Sequence, residues 1–276
     1  MNILIGADPE LFAYDKETGI PKSVHDILPG DKLHPIIVPR GAIQVDGVAA
    51  EFNINPTEDE RTFMTNIKSV RRILDSILAA KDNKLELKAV PVAYFPKNYF
   101  ESLPSYSKAL GCEPDYSAYT KDVNPKPVTD EPFRTGSGHV HIGWTAGKER
   151  DKEHFEQCCE IVKELDFVLY NSSLLWDNDE KRRQLYGAPG AFRPKAYGLE
   201  YRVLSNAWLN ERATQRFIFH ASRAVTKSFF NGKRLSGLYN FNKFKFKDFC
   251  SFLRENGMPD VMTYYSRHKL RAALHE

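Results

Sequence analysis

Four short segments of this chain alternate apolar residues with acids, imidazoles or an arginine, and no other feature limits its fold so strongly. Side chains two apart on a β-strand point to the same face. Asp8 and Glu10 therefore share a face, as do Glu51, Asn53 and Asn55, with Phe52 and Ile54 looking away. In HVHIGW, His139 and His141 lie opposite Val140 and Ile142; in LEYRVLS, Glu200 and Arg202 lie opposite Tyr201 and Val203. Strands with one apolar and one polar face belong to an antiparallel sheet that helices cover on one side.

The rest of the chain supplies those helices. Residues 2–14 read as a strand, followed by a Gly/Pro-punctuated stretch to about 42 and a second strand, AIQVDGVAAEFNIN. Thr57 and Glu60 form a capping box for a helix through residue 81, whose Phe63, Ile67, Val70, Leu74 and Leu78 recur at helical spacing. Residues 84–95 alternate as a strand, and 96–135 read as a long functional loop. Helices are expected over about 149–171 and over 210–230, the latter capped by Asn210, with an irregular loop at 176–198.

A chain of 276 residues can bury a substantial core, and one domain spanning 1–276 is the expectation, with a basic, aromatic appendage from about 233. That tail reads as a helix or strand docked through its Phe residues, its Lys residues reaching for water. The net charge of +3 provides no global field for nucleic acid or anionic membrane. No apolar run approaches the roughly 20 residues of a membrane span, and the start lacks a secretory pattern. Cys112, Cys158, Cys159 and Cys250 include no CxxC pair, which favours reduced thiols and a cytoplasmic protein.

Taken singly, the polar pairs are ordinary: a turn at Asp8, a surface carboxylate at Glu51, a surface ion pair at Glu200 and Arg202. Gathered on one sheet face they are not. Packed carboxylates raise one another's pKa unless cations neutralise them. Oxygen donors with one or two imidazoles suit Mg²⁺ or Mn²⁺, and zinc is less apt because no cysteine joins the set.

The motifs GADPELFAYD, QVDGVAAEFNINP, GSGHVHIGW and LEYRVLSN, in that order, resemble the glutamine synthetase and glutamate–cysteine ligase superfamily, and within it the phage-type carboxylate–amine ligases. The resemblance implies a glutamine-synthetase-like α+β catalytic domain: a curved antiparallel sheet, or half-barrel, with helices on its outer face. It implies metal ligation by Asp8, Glu10, Glu51, His139 and Glu200, and phosphate contacts from His141, Arg202 and Arg193, with Arg182, Arg183 and Lys195 as rivals to Arg193. The implied reaction joins a small-molecule carboxylate to an amine through an acyl phosphate, with ATP and Mg²⁺ or Mn²⁺ as cofactors. Glu51 or Asp46 is the expected base for the amine. The acceptor is open among an amino acid, a polyamine, a peptide and a modified nucleobase. If the chain is phage-encoded, its compartment is the host cytoplasm. Two other functions compete: a phosphotransferase of the guanidino-kinase type, and a non-catalytic module that binds metal or nucleotide.

Overall fold

The computed structural model describes residues 1–108, 115–126, 130–148, 151–177, 179–239 and 245–265. Its strands are β1 (Leu4–Asp15), β2 (Pro21–Lys22), β3 (Ile36–Val38), β4 (Gly41–Asp46), β5 (Ala49–Thr57), β6 (Leu85–Lys88), β7 (Val92–Tyr94), β8 (Tyr116–Ser117), β9 (Phe133–Thr135), β10 (Gly138–Gly143), β11 (Ala191–Lys195) and β12 (Gly198–Tyr201). The helices are α1 (Glu60–Lys81), α2 (Lys97–Ser102), α3 (Ser105–Lys108), α4 (Lys152–Leu165), α5 (Asn171–Ser173), α6 (Glu180–Leu185), α7 (Arg212–Phe230) and α8 (Phe246–Glu255).

The main sheet is antiparallel and open, in the order β3-β4-β5-β1-β10-β12-β11-β8, with β2 and β6 also paired to β1. Its apolar face carries Ile5, Ala7, Phe52, Ile54, Val140, Ile142, Leu199 and Tyr201 into one core with Phe63, Val70 and Leu74 of α1, Ile161 and Leu165 of α4, and Phe217 and Val225 of α7. Helices thus cover one face, as the alternation required. A second cluster of Phe12, Ala49, Ala93, Phe95, Phe100 and Leu103 walls one end of the opposite face. No helix among the described residues is long and apolar enough to cross a membrane.

Several sequence expectations need correction. The segment 42–55 is a hairpin, β4 and β5, turning at Gly47 with φ of 59°. Asp59, not Thr57, caps α1 by accepting from the Thr62 amide, and Thr57 Oγ1 accepts from the Asp59 amide instead. The carboxylate is the better partner there because it also meets the helix dipole. Residues 84–95 split at Pro91 between two sheets, β6 on β1 and β7 on β9. Asn210 does not cap α7; its amide donates to the Ala89 carbonyl. The loops at 96–135 and 176–198 contain α2, α3, β8 and β9, and α6 and β11, respectively. In the tail, α8 docks through Phe249 and Leu253; residues 240–244 and 266–276 lie outside the described residues.

Candidate active site

Strand register puts the polar residues side by side. Asp8 pairs with His139, Glu10 with Glu51, His141 with Glu200, Glu51 with Gln44, and Glu200 with Arg193. The result is two triads whose donor atoms lie within 4.8 Å of one another: Asp8, His139 and Glu200, and Glu10, Asp46 and Glu51. All five residues named as metal ligands fall in these two groups. Asp46, expected as a base, completes the second.

The glycine-rich turn before β10 secures this geometry. A Cβ on Gly136 would come within 2.4 Å of Asn206 Nδ2, and one on Gly138 within 2.4 Å of the Ser205 carbonyl, so neither position admits a side chain. That close approach puts the Ser137 amide 2.9 Å from Glu10 Oε2, while Asn206 Nδ2 donates to the Glu10 carbonyl at 2.8 Å. Ser137 and Asn206 therefore orient a triad residue, and only the glycines beside Ser137 hinted at it.

The triads differ electrically. Around the first, cations converge on Glu200, which is 1% exposed: Lys195 Nζ at 2.9 Å, Arg193 Nη1 at 3.5 Å, and Arg202 Nη1 in contact, with the His139 imidazole Nδ1 at 3.4 Å beside them. Burial by itself would raise the Asp8 carboxyl, but His141, with Nε2 at 3.0 Å, and His139 outweigh it and hold Asp8 well below its ordinary value. Burial likewise disfavours charge on His141, yet Asp8 and Glu200 push it up, and Tyr197 Oη bonds its Nδ1. Burial and then Arg202 hold His139 down.

The second triad is short of cations. Burial and the neighbouring Asp46 push Glu10 up to about 7, against the Ser137 amide. Burial, then Asp8, Asp46 and Glu10, push Glu51 well above its ordinary value. Lys32 Nζ, 2.8 Å from Asp46, is half-exposed. Like charges directly opposite on neighbouring strands destabilise a sheet, and Glu10 and Glu51 face each other in this way across β1 and β5.

Both triads fit a divalent cation. Asp8 Oδ1 is buried with no partner at full hydrogen-bonding geometry, His139 Nδ1 standing off at 3.5 Å, and a cation would satisfy it. Two carboxylates with one imidazole in the first triad suit Mg²⁺ or Mn²⁺, and the three carboxylates of the second suit Mg²⁺.

The residues named as rival phosphate contacts have different partners. Arg182, fully buried, donates to the Val203 and Leu204 carbonyls, and Arg183 to the Asp177 carbonyl, so both guanidiniums are engaged by backbone carbonyls. Arg193 and Lys195, two apart on β11, both reach Glu200 on the polar face. Three neighbours went unnoticed in the sequence. Asp115 Oδ2 lies 3.1 Å from Arg202 Nε, Tyr186 stacks its ring 5.2 Å from the Arg202 guanidinium carbon, and Tyr197 holds His141.

Beside His141, a cavity of about 340 Å³ opens at the first-residue end of β1, lined by Leu4, Gly6, Ile54, Pro56, Gly143 and Tyr197. The site therefore has a direction. Along β1, Gly6 lies at the cavity, Asp8 in the first triad and Glu10 in the second; along β12, Gly198 leads to Glu200, and Arg202 follows just past the strand's end.

The fold and the site together define an open antiparallel sheet with helices on one face and a carboxylate, imidazole and guanidinium groove on the other. Residues 130–242 match the family described as phage phiEco32-like COOH.NH2 ligase-type 2, which bears out the resemblance carried by the motifs. The match spans less than half of the chain; it includes His139, His141, Arg193, Lys195, Glu200 and Arg202, and leaves Asp8, Glu10, Asp46 and Glu51 to rest on geometry. A solved structure described as a novel glutamine synthase homolog aligns with a TM-score of 0.42 at 10% identity, over 98% of this chain and 67% of that one. No curated protein matches the chain.

Proposed function

We propose that this protein is an ATP- and divalent-metal-dependent ligase that joins a carboxylate to an amine through an acyl phosphate. The observation that carries this is the pair of triads on one sheet face, with cations gathered at the first. Asp8, His139 and Glu200 would hold one Mg²⁺ or Mn²⁺ and Glu10, Asp46 and Glu51 another. Bound there, the ions would screen the approach of one anion to another during phosphoryl transfer.

The chain's own residues do the rest. Arg193, Lys195 and His141 would turn from their carboxylate partners to the phosphates, Arg193 because its planar fork suits phosphate oxygens. Tyr197 fixes the His141 ring through Nδ1 and leaves Nε2 toward the groove. The substrate carboxylate would attack the γ-phosphorus of ATP; the bond to the bridging oxygen breaks and ADP leaves. The cavity beside His141 suits the base and ribose, since ligand sites are mainly apolar with a few oriented polar groups.

The test uses ATP, Mg²⁺, a pool of biological carboxylates and hydroxylamine. ADP and hydroxamate should form in equal amounts. AMP release, or ADP without hydroxamate from any acid, would overturn the ligase reading, because only an acyl phosphate yields a hydroxamate.

The cavity assignment has its own check. A Cβ on Gly6 would sit 3.5 Å from Pro56 Cβ and 3.6 Å from His141 Cβ, an ordinary contact, so the strand tolerates a side chain that then fills the cavity. Gly6→Leu should raise the KM for ATP by at least about tenfold, the scale of 1.4 kcal/mol of lost binding, and leave Mg²⁺ affinity unchanged. An unaltered KM would exclude this cavity as the nucleotide site.

A further inference from the structure

The direction of the groove decides where the second substrate must sit. An in-line displacement places the attacking group on the far side of the transferring phosphoryl from the leaving nucleotide. With the nucleotide cavity at the Gly6 and Gly143 end, the attacking carboxylate and the amine that follows belong at the other end, beyond Glu200. Arg202, Tyr186 and Asp115 meet there.

Asp115 belongs to neither triad. It stands just before the edge strand β8, with its side chain 13% exposed, and reaches Arg202 from outside the central strands. Asn124 holds it from behind: its amide group donates to Asp115 Oδ1 at 3.0 Å and its backbone amide to the Asp115 carbonyl at 2.9 Å. The segment that carries it is moored separately, Tyr119 Oη donating to the buried Asp166 at 3.0 Å and Lys121 pairing with Glu156. A carboxylate so fixed keeps its place when its partner leaves. Arg202 is shared between Asp115 and Glu200, so an anion arriving at Arg202 would compete with Asp115 for the guanidinium.

We propose that Asp115 is the catalytic base of the amine step. The proposal rests on the ligase reading of the same groove. The substrate anion takes Arg202, and the released Asp115 carboxylate binds the incoming ammonium and removes one of its protons. The neutral nitrogen then forms a bond to the acyl carbon, the bond from carbon to the phosphate oxygen breaks, and the electron pair leaves with phosphate. A second proton from nitrogen goes to the departing phosphate, and Asp115 returns its own to water. Asp46 and Glu51, the bases expected from the sequence, lie with Glu10 in the second triad, where a bound cation would engage them.

Asp115→Asn tests this, because the amide oxygen can still accept from Arg202 Nε. Wild type and variant are compared with ATP, Mg²⁺ and the carboxylate pool, using hydroxylamine in one arm and a pool of primary alkylamines in the other. Hydroxylamine is already neutral at pH 7, whereas alkylamines arrive protonated. In the variant, hydroxamate formation should stay within about threefold, while amide formation from alkylamines falls at least about a hundredfold, in the range expected for losing a general base. Asp115→Glu should restore part of the amide rate. Equal losses in both arms would mark a structural role and overturn the proposal, as would an unchanged amide rate. If wild type forms no hydroxamate with any acid, the ligase reading falls first and this inference with it.

Discussion

Replacing Glu200 by Gln should reduce metal-dependent ADP formation at least about a thousandfold while the protein remains folded. A metal ion contributes several kcal/mol to a phosphoryl-transfer transition state, and each 1.36 kcal/mol is a factor of ten. The choice of Gln follows from the packing. Glu200 is almost fully buried and faces Arg202, Lys195 and Arg193, with Arg202 itself 2% exposed. Glu200→Ala would leave the Arg202 cation buried beside a void, and breaking a buried pair by removing one partner costs about 3–5 kcal/mol. The alanine variant would thus confound folding with chemistry. Gln keeps an oxygen that accepts from Lys195 and Arg202 and loses the charge that a cation needs. ADP release with Mg²⁺ and a carboxylate pool, beside a melting curve, checks it. Undiminished turnover in a folded Gln variant would remove Glu200 from the site.

How much of this site was legible depended on how local its cause was. The pairs at 8 and 10, 139 and 141, and 200 and 202 could be read because strand alternation is a property of the strand itself. Which pairs become neighbours is a property of register, and no residue of β1 announces that Asp8 meets His139 while Glu10 meets Glu51. The division into two triads followed only from the sheet. Asp46 joins the second triad because β4 and β5 form a tight hairpin at Gly47, where the sequence alone suggested one long strand.

Arg193 and Lys195 illustrate a masked signal. They share a face of β11, but Pro194 between them discourages reading a strand. Proline lacks the donor that an interior ladder needs, yet it is tolerated at an edge. Strand β8 pairs with only Ala191 and Phe192, so Pro194 lies where β11 has lost that neighbour. Asp115 carried no local signal. Its place beside Arg202 depends on contacts made across the fold by Asn124, Tyr119 and Lys121.

The second triad should make the protein's stability depend on pH in a way that metal reverses. Freed of metal by chelation, the protein should lose stability as pH rises from about 5 to about 8. Glu10 titrates near 7 in the folded chain and near its ordinary 4.5 when unfolded. Between those values the folded state holds the extra proton, so stability falls as pH climbs. Above both values a shift of that size costs on the order of 3 kcal/mol. Glu51, raised in the same direction, adds to the loss. His141, raised by Asp8, contributes stability below its unfolded pKa that also disappears as pH rises through its folded value. His139, held down, works the other way and regains stability as pH rises toward its unfolded pKa. Asp8, depressed, exerts its effect only below about pH 4 and lies outside the window. Asp166, pushed up to about 7 by burial despite its bonds to Tyr201 and Tyr119, also loses stability with rising pH, but it sits on the helix side and is no ligand. Saturating Mg²⁺ should therefore abolish the part due to Glu10 and Glu51 and leave the Asp166 part. Melting curves at pH 5, 6, 7 and 8, with EDTA or with Mg²⁺, should show a gap in Tm that widens with pH. A constant gap, or a chelated protein that grows more stable between pH 5 and 8, would mean that the second triad neither stores protons in this way nor exchanges them for a cation.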